Sequence, residues 1–491
     1  MRFYYLFCLM FFFVPLLLSG QTEVSFNDYF VDGTMRIDYF HIGDASTEFI
    51  TVDKVYRQGI WAGSRKNLID QFNNGKYYFR IYDAASGKQI YSKGFDSYFG
   101  EYKTSEAGIK GIKRTYHESA LIPYPKNKVR FSVEVRDRKN QLNPIFSQEI
   151  DPNELTIISE NPKDRSVKVI EQVKSGDPHV KVDIAILAEG YTLKEEAKFR
   201  ADLKRFTRIF FNKEPYKSYK DKFNVYGVFK PSEESGCDEP DHLSFKKTAL
   251  NTTFYSLGSE RYLLTEDNKS MRDIASNVPY DAIYIMVNHS RYGGGGIYNL
   301  YCTFTSDNQW HEYLFLHEFG HSFAGLADEY YTSDVAYNEF YPQGTEPVEP
   351  NITALLDPSK LKWKEDITPG IEIPTPWEKA GYDSMDLGYQ KVRRELNLKI
   401  AAMKRSGAPE REVAKLQAEA ETLSRQSADK TDQYLQHSKY WGQVGAFEGA
   451  GYASKGLYRS MLDCLMFSKG NKPFCRVCNE AVIRVIKHYS E

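Results

Sequence analysis

Short runs in which apolar and polar residues alternate fill the first third of the chain. Segments 76–83 (KYYFRIYD), 88–95, 129–137 (VRFSVEVRD) and 143–150 mix β-branched and aromatic residues, with Gly, Asn, Asp and Pro between them. This pattern predicts short strands and an N-terminal antiparallel β-sandwich over 21–150. No constellation of titratable groups stands out there, so the stretch reads as an accessory or packing domain.

Segment 151–178 is polar and holds several prolines, as a linker would. The pattern then changes. Segment 182–187 reads as a buried strand, and 193–211 as an amphipathic helix with Phe199, Leu203, Phe206 and Phe210 on one side. Segments 223–229 and 281–287 are further strands. A run of four glycines, 293–296, leads into another strand at 297–305; without the Lys-Ser/Thr context of a phosphate loop it reads as a flexible turn. Strands alternating with helices predict a mixed α/β domain over 179–491. Within it, 390–433 lacks any aromatic residue and repeats apolar positions at helical spacing on both sides of Gly407, Ala408 and Pro409. It reads as a helical-hairpin insertion. The expected fold class is therefore α+β and multidomain.

Composition narrows the function. The 491 residues carry a net charge of −2, which lacks the basic footprint of a nucleic-acid binder. At 41% hydrophobic and 15% aromatic, the chain is not a disordered one. Residues 1–20 place Arg2 before an apolar run that ends in Ser19 and Gly20, a signal-peptide pattern with cleavage expected near Gly20 and Gln21. The mature protein is then expected to be secreted or periplasmic, with no membrane span left after cleavage. In an oxidising compartment Cys237, Cys302, Cys464, Cys475 and Cys478 are expected in disulfides or plain structural roles. A Cys-rich metal site is the weaker alternative, because no His stands at finger-like spacing.

Chemistry concentrates in 310–331, WHEYLFLHEFGHSFAGLADEYY. His317, Glu318 and His321 form an H-E-x-x-H motif. Four residues apart on a helix, two imidazoles share one face and can meet one ion; Glu318 then stands where a general base for a water molecule acts. With ten His in the chain, a chance match has odds of roughly one or two in a hundred. Asp307 and Asn308 are the expected helix caps. A catalytic zinc takes three protein ligands, and Gly325 can end the helix and return the chain to the metal. The glycine-to-ligand interval of extended zincin motifs favours Asp328, while adjacent Glu329 stays open. His311 points off the motif face.

The stretches HEFGHSFAGLADEYY, DAIYIMVNHSRYGGGG and CLMFSKGNKPFCRVC resemble the IgA-peptidase family of secreted bacterial zinc metallopeptidases. The resemblance implies a zincin or metzincin-like α/β catalytic domain and Zn²⁺-dependent endopeptidase activity on a protein or peptide substrate. His317, Glu318 and His321 match the family motif, and Met466 takes the place of the Met-turn residue. Edge-strand pairing of an extended substrate with 297–305 is a further expectation. The rival reading is a catalytically inactive, zincin-like adhesion or glycan-binding protein.

Overall fold

The computed structural model describes residues 24–159, 164–332 and 340–491; the expected signal segment 1–20 lies outside them. The N-terminal part is built from two antiparallel sheets. In the first, strand β1 (Phe30–Gly43) lies between β2 (Glu48–Gln58) and β5 (Arg114–Pro125). In the second the order is β4 (Gln89–Phe95), β3 (Tyr77–Asp83), β6 (Val129–Arg136) and β7 (Leu142–Ile150). Met35, Ile37 and Ile122 of the first sheet share a core with Phe79, Ile81, Phe131 and Val133 of the second.

The alternation pattern foretells the four-strand sheet but not the three-strand one. The reason lies in β1, whose second face is polar yet buried. Arg36 and Asp38 are both fully enclosed, paired at 2.6 Å, and the Arg36 guanidinium also meets Asp273, far along the chain, at 2.6 Å. Charges that would mark a solvent side instead pair beneath the sheet of the second domain, which removes much of the cost of burying them.

That sheet has six strands in the order β12-β13-β11-β9-β10-β8. The inner four, β13 (Tyr301–Thr305), β11 (Ala282–Val287), β9 (Val182–Glu189) and β10 (Phe223–Phe229), run parallel. β12 (Gly294–Ile297) and β8 (Lys168–Val173) close the edges antiparallel. Strand β8 thus falls inside the segment read as a linker. Being covered on both faces makes the parallel strands continuously apolar. Ile184 and Ile186 of β9 face the helices Glu196–Phe211 and His311–Ala324, while Ala185 and Leu187 face the opposite layer around Met271 and Ile274. Phe199, Leu203, Phe206 and Phe210 form the buried stripe of the first helix, as its periodicity predicts.

Two expectations about 293–305 change. The glycine run is not a flexible turn: Gly294, Gly295, Gly296 and Ile297 are the edge strand itself, and 301–305 lies inside the sheet. A side chain on Gly296 would stand 2.3 Å from the Glu318 carbonyl oxygen, and one on Gly294 would stand 2.8 Å from Glu318 Oε1. Glycine is needed here for close approach: it lets the motif helix lie directly against the sheet edge.

Helices Lys379–Arg405 and Glu410–Gln436 pack on each other through Ile400, Val413 and Leu416. They are longer than the aromatic-free segment suggests. Their outer ends enter the main core at Tyr382 and Leu435, and Ser424 accepts a hydrogen bond from Trp310 Nε1 at 3.1 Å. A small sheet of β14 (Ile352–Thr353), β16 (Ala453–Arg459) and β15 (Phe447–Ala450), in that order, packs by Ile352, Ala450 and Leu457 against Ala327, just after the motif helix. No described helix is long and apolar enough to cross a membrane.

Candidate metal centre

The motif helix runs His311–Ala324 and is buried along most of its length. Asn308 rather than Asp307 serves its start, with Oδ1 accepting from Trp310 N at 2.9 Å and its carbonyl accepting from His311 N at 3.0 Å. His311 bonds back to Asn308 O and lies away from the motif face. At the other end Gly325 takes a left-handed conformation (φ 61°), and Leu326 N donates to Gly320 O at 3.2 Å, closing the helix and reversing the chain.

The reversal brings three acceptors together. His317 Nε2 and His321 Nε2 are 3.1 Å apart, and Asp328 Oδ1 lies 2.9 Å from the first and 3.3 Å from the second. The other ring nitrogens are engaged. His317 Nδ1 donates to Leu465 O at 3.0 Å and His321 Nδ1 to Leu326 O at 2.6 Å, since a carbonyl can only accept. With no proton on it, each Nε2 presents a lone pair to the same point as the buried Asp328 Oδ1. Ligands about 2.0 Å from a tetrahedral ion lie about 3.3 Å from one another, so the spacing fits a zinc-sized cation. Burial alone would lower His321, yet the Asp328 carboxylate outweighs it and holds the imidazole up at about 9. The same charges hold Asp328 well below the ordinary carboxylate range despite its burial. The centre attracts positive charge, which a proton or a metal ion can supply.

Around these residues the chain supplies further support. Tyr452, held at a left-handed φ of 63° in the turn between β15 and β16, donates its hydroxyl to Asp328 Oδ2. Asn351 fastens the turn by bonding Ala327 N at 2.8 Å and Ala327 O at 2.9 Å. Met466 is fully buried, with its sulfur against Gly320, and its carbonyl accepts from Glu329 N at 2.8 Å. Glu318 makes no hydrogen bond to another described side chain; burial pushes its carboxyl above the ordinary value, while His317 and His321 act the other way. Arg261 reaches the same cavity and donates to Tyr330 OH at 2.9 Å. The cavity wall also includes Lys76, Asp96 and Glu101 of the N-terminal sandwich. That sandwich is tied to the β12–β13 hairpin by Asp96 N to Tyr298 O at 2.9 Å and Asn299 Nδ2 to Gly94 O at 2.7 Å.

Asp328 therefore meets the histidine pair and Glu329 does not. Glu329 turns the opposite way, toward Cys464, Cys475 and Cys478. The disulfide expectation is not met: all five described cysteines are free and buried. Sequence reasoning also passes over Arg261, Asn351 and Tyr452. Each reaches the centre from a distant segment and belongs to no local motif.

A histidine pair and a carboxylate converge on one point and could hold a metal ion, with the carboxyl group of Glu318 nearby. Sequence comparison places the chain within a known family. The profile described as IgA Peptidase M64 matches residues 170–486, and that of the Peptidase M64 N-terminus matches residues 25–147. The chain belongs to the IgA Peptidase M64 family, and it is a peptidase of the metallopeptidase class. A search of curated proteins finds no match.

Proposed function

We propose that this protein is a secreted, zinc-dependent endopeptidase in which His317, His321 and Asp328 hold Zn²⁺ and Glu318 is the general base. The observation that carries this reading is the convergence of three acceptor atoms beside a carboxyl group that hydrogen-bonds no other described side chain. Bound there, zinc supplies Lewis acidity toward a water molecule and a peptide carbonyl. The chain does the rest. Leu465 O and Leu326 O fix the imidazole orientations, and Tyr452 fixes the carboxylate of Asp328. Glu318, raised by burial, takes a proton from the attacking water and returns it to the leaving amine. Arg261, bonded to Tyr330 rather than to a carboxylate, offers positive charge toward the oxygen that gains negative charge.

Strand β12 is the sheet edge nearest the motif helix. Gly294 is already bridged by Arg261 O and Leu263 N, so an extended substrate would pair beyond it, along Gly296. The N-terminal sandwich, which supplies part of the cavity wall, would then help select substrates. Export rests on the pattern of residues 1–20.

Digestion of a denatured protein mixture, with and without a chelator and after zinc is restored, tests the reading. Cleavage should stop with the chelator and return with zinc. A zinc-loaded protein that cleaves nothing across a broad peptide library would make the site a binding site. Ester or N-methyl replacement at single backbone positions of a cleaved peptide tests the edge strand; unchanged cleavage at every position would remove it from the account.

A further inference from the structure

We infer that Glu329, Cys464, Cys475 and Cys478 form a second, buried metal site of the structural zinc class, distinct from the His317, His321 and Asp328 centre. The four side chains are at most 5% exposed, and each offers one ligand atom, all within 4.8 Å of one another. Cys478 Sγ lies 3.3 Å and Cys475 Sγ 3.9 Å from Glu329 Oε1. A tetrahedral zinc with sulfur at about 2.3 Å and oxygen at about 2.0 Å sets a sulfur–oxygen separation of about 3.5 Å, which these two distances bracket.

The surroundings suit thiolates. Cys475 N donates to Cys464 Sγ at 3.1 Å, and Cys478 N to Cys475 Sγ at 3.4 Å; Ser460 Oγ lies 3.3 Å from Cys475 Sγ. Cys475 caps the C-terminal helix Arg476–Ser490 and Cys478 sits in its first turn, so both sulfurs stand at the positive end of the helix dipole. Glu329 is fully buried without an ion-pair partner among the described residues; its Oε1 accepts from Asn351 Nδ2 at 3.1 Å, and its Oε2 has no hydrogen-bond partner among them. A carboxylate in such a place is normally paired or bound to metal. Three sulfurs and one carboxylate form a soft set that selects zinc over magnesium or calcium.

The placement explains what such a site would do. Glu329 follows Asp328 directly, and Cys464 precedes Leu465, whose carbonyl orients His317. One ion would therefore clamp both segments that position the histidine centre to the C-terminal helix. This inference rests on the geometry of the cysteine cluster and does not depend on the proposed peptidase chemistry.

Elemental analysis of the purified chain, with mass spectrometry of alkylated cysteines, provides the test. The wild type should carry about two zinc ions per chain and no disulfide among Cys464, Cys475 and Cys478. His317→Ala should retain about one ion. Loaded with cobalt, that variant should show the thiolate-to-cobalt charge-transfer band that imidazole and carboxylate ligands cannot give. Cys478→Ser in the same background should lose both the band and the ion. That substitution is also expected to impair folding, so the deciding readings come from chains that keep all three cysteines. A wild type with one ion that His317→Ala removes would overturn the inference. So would a disulfide joining any two of the three cysteines, or a retained ion without the band.

Discussion

The carboxylates of Asp328 and Glu329, neighbours in the chain, face opposite sides of one turn. Asp328 Oδ1 lies 2.9 Å from His317 Nε2, while Glu329 Oε1 lies 3.3 Å from Cys478 Sγ. The backbone is held at both ends of the pair, since Asn351 binds Ala327 and Met466 O accepts from Glu329 N. The choice between the two residues for the histidine centre thus follows from the direction of the chain.

That geometry yields a ranking. Asp328→Ala should lower zinc affinity at the histidine centre by about 100-fold or more, and Tyr452→Phe by about 10-fold. Glu329→Ala should weaken that centre far less than Asp328→Ala. Competition titration against a chromophoric chelator measures all three, and a larger loss for Glu329→Ala at that centre would reverse the assignment.

Glu318→Gln should leave zinc content unchanged and reduce peptide cleavage by at least about 100-fold, the usual contribution of a general base. The amide keeps the volume against Gly294 but cannot accept a proton. Turnover near wild type in a metal-loaded variant would remove Glu318 from the chemistry.

Close approach at the sheet edge predicts different costs for neighbouring glycines. A side chain at Gly296 meets the Glu318 backbone at 2.3 Å and His321 Cβ at 2.8 Å, neither of which can rotate away. Gly296→Ala should cost about 1–3 kcal/mol, as overpacking does, and lower activity by displacing the motif helix. At Gly295 the nearest atom is Leu264 Cδ2, the far end of a side chain rather than backbone, so Gly295→Ala should cost less. Denaturant midpoints of the two variants decide the point; equal losses would mean that helix contact is not what the glycine serves.

Acid should weaken the joint between the N-terminal sandwich and the C-terminal helix. His488 packs edge-on against Phe72, and its carbonyl accepts from Asn67 Nδ2 at 2.7 Å. Burial pushes its imidazole from the ordinary 6.5 down to about 4, with Asp70 opposing and Lys93 assisting. The folded pKa is the lower one, so the unfolded chain takes up the proton first. This contribution to stability is complete above about pH 6.5 and is lost as pH falls toward 4. Relative to His488→Phe, the wild type should lose melting temperature as pH falls across that window. Parallel curves would show that His488 does not titrate there.

Much of the fold was legible because burial writes a period into the chain. The four strands of the second sandwich sheet, the continuously apolar parallel strands and the Phe199 to Phe210 stripe each follow from which positions must avoid water. The first sandwich sheet was hidden because Arg36 and Asp38 place charges inside, paired to a residue more than two hundred positions away. The glycine run was misleading for a related reason: glycine marks both loose turns and tight approaches, and only the helix lying against β12 tells them apart.

At the site the division is just as physical. His317, Glu318, His321 and Gly325 lie on one helix and its cap, so their relation is set by a fixed local geometry of 3.6 residues per turn and the sequence alone determines it. The segments carrying Leu465, Tyr452, Asn351 and the cysteines of 464–478 reach the centre through strand order and loop return, which depend on packing across the whole domain. Which carboxylate faces the histidines, and what the three inner thiols face, were decided only there: a side chain's direction at a turn is set by the backbone bonds that hold it, and those bonds come from distant residues.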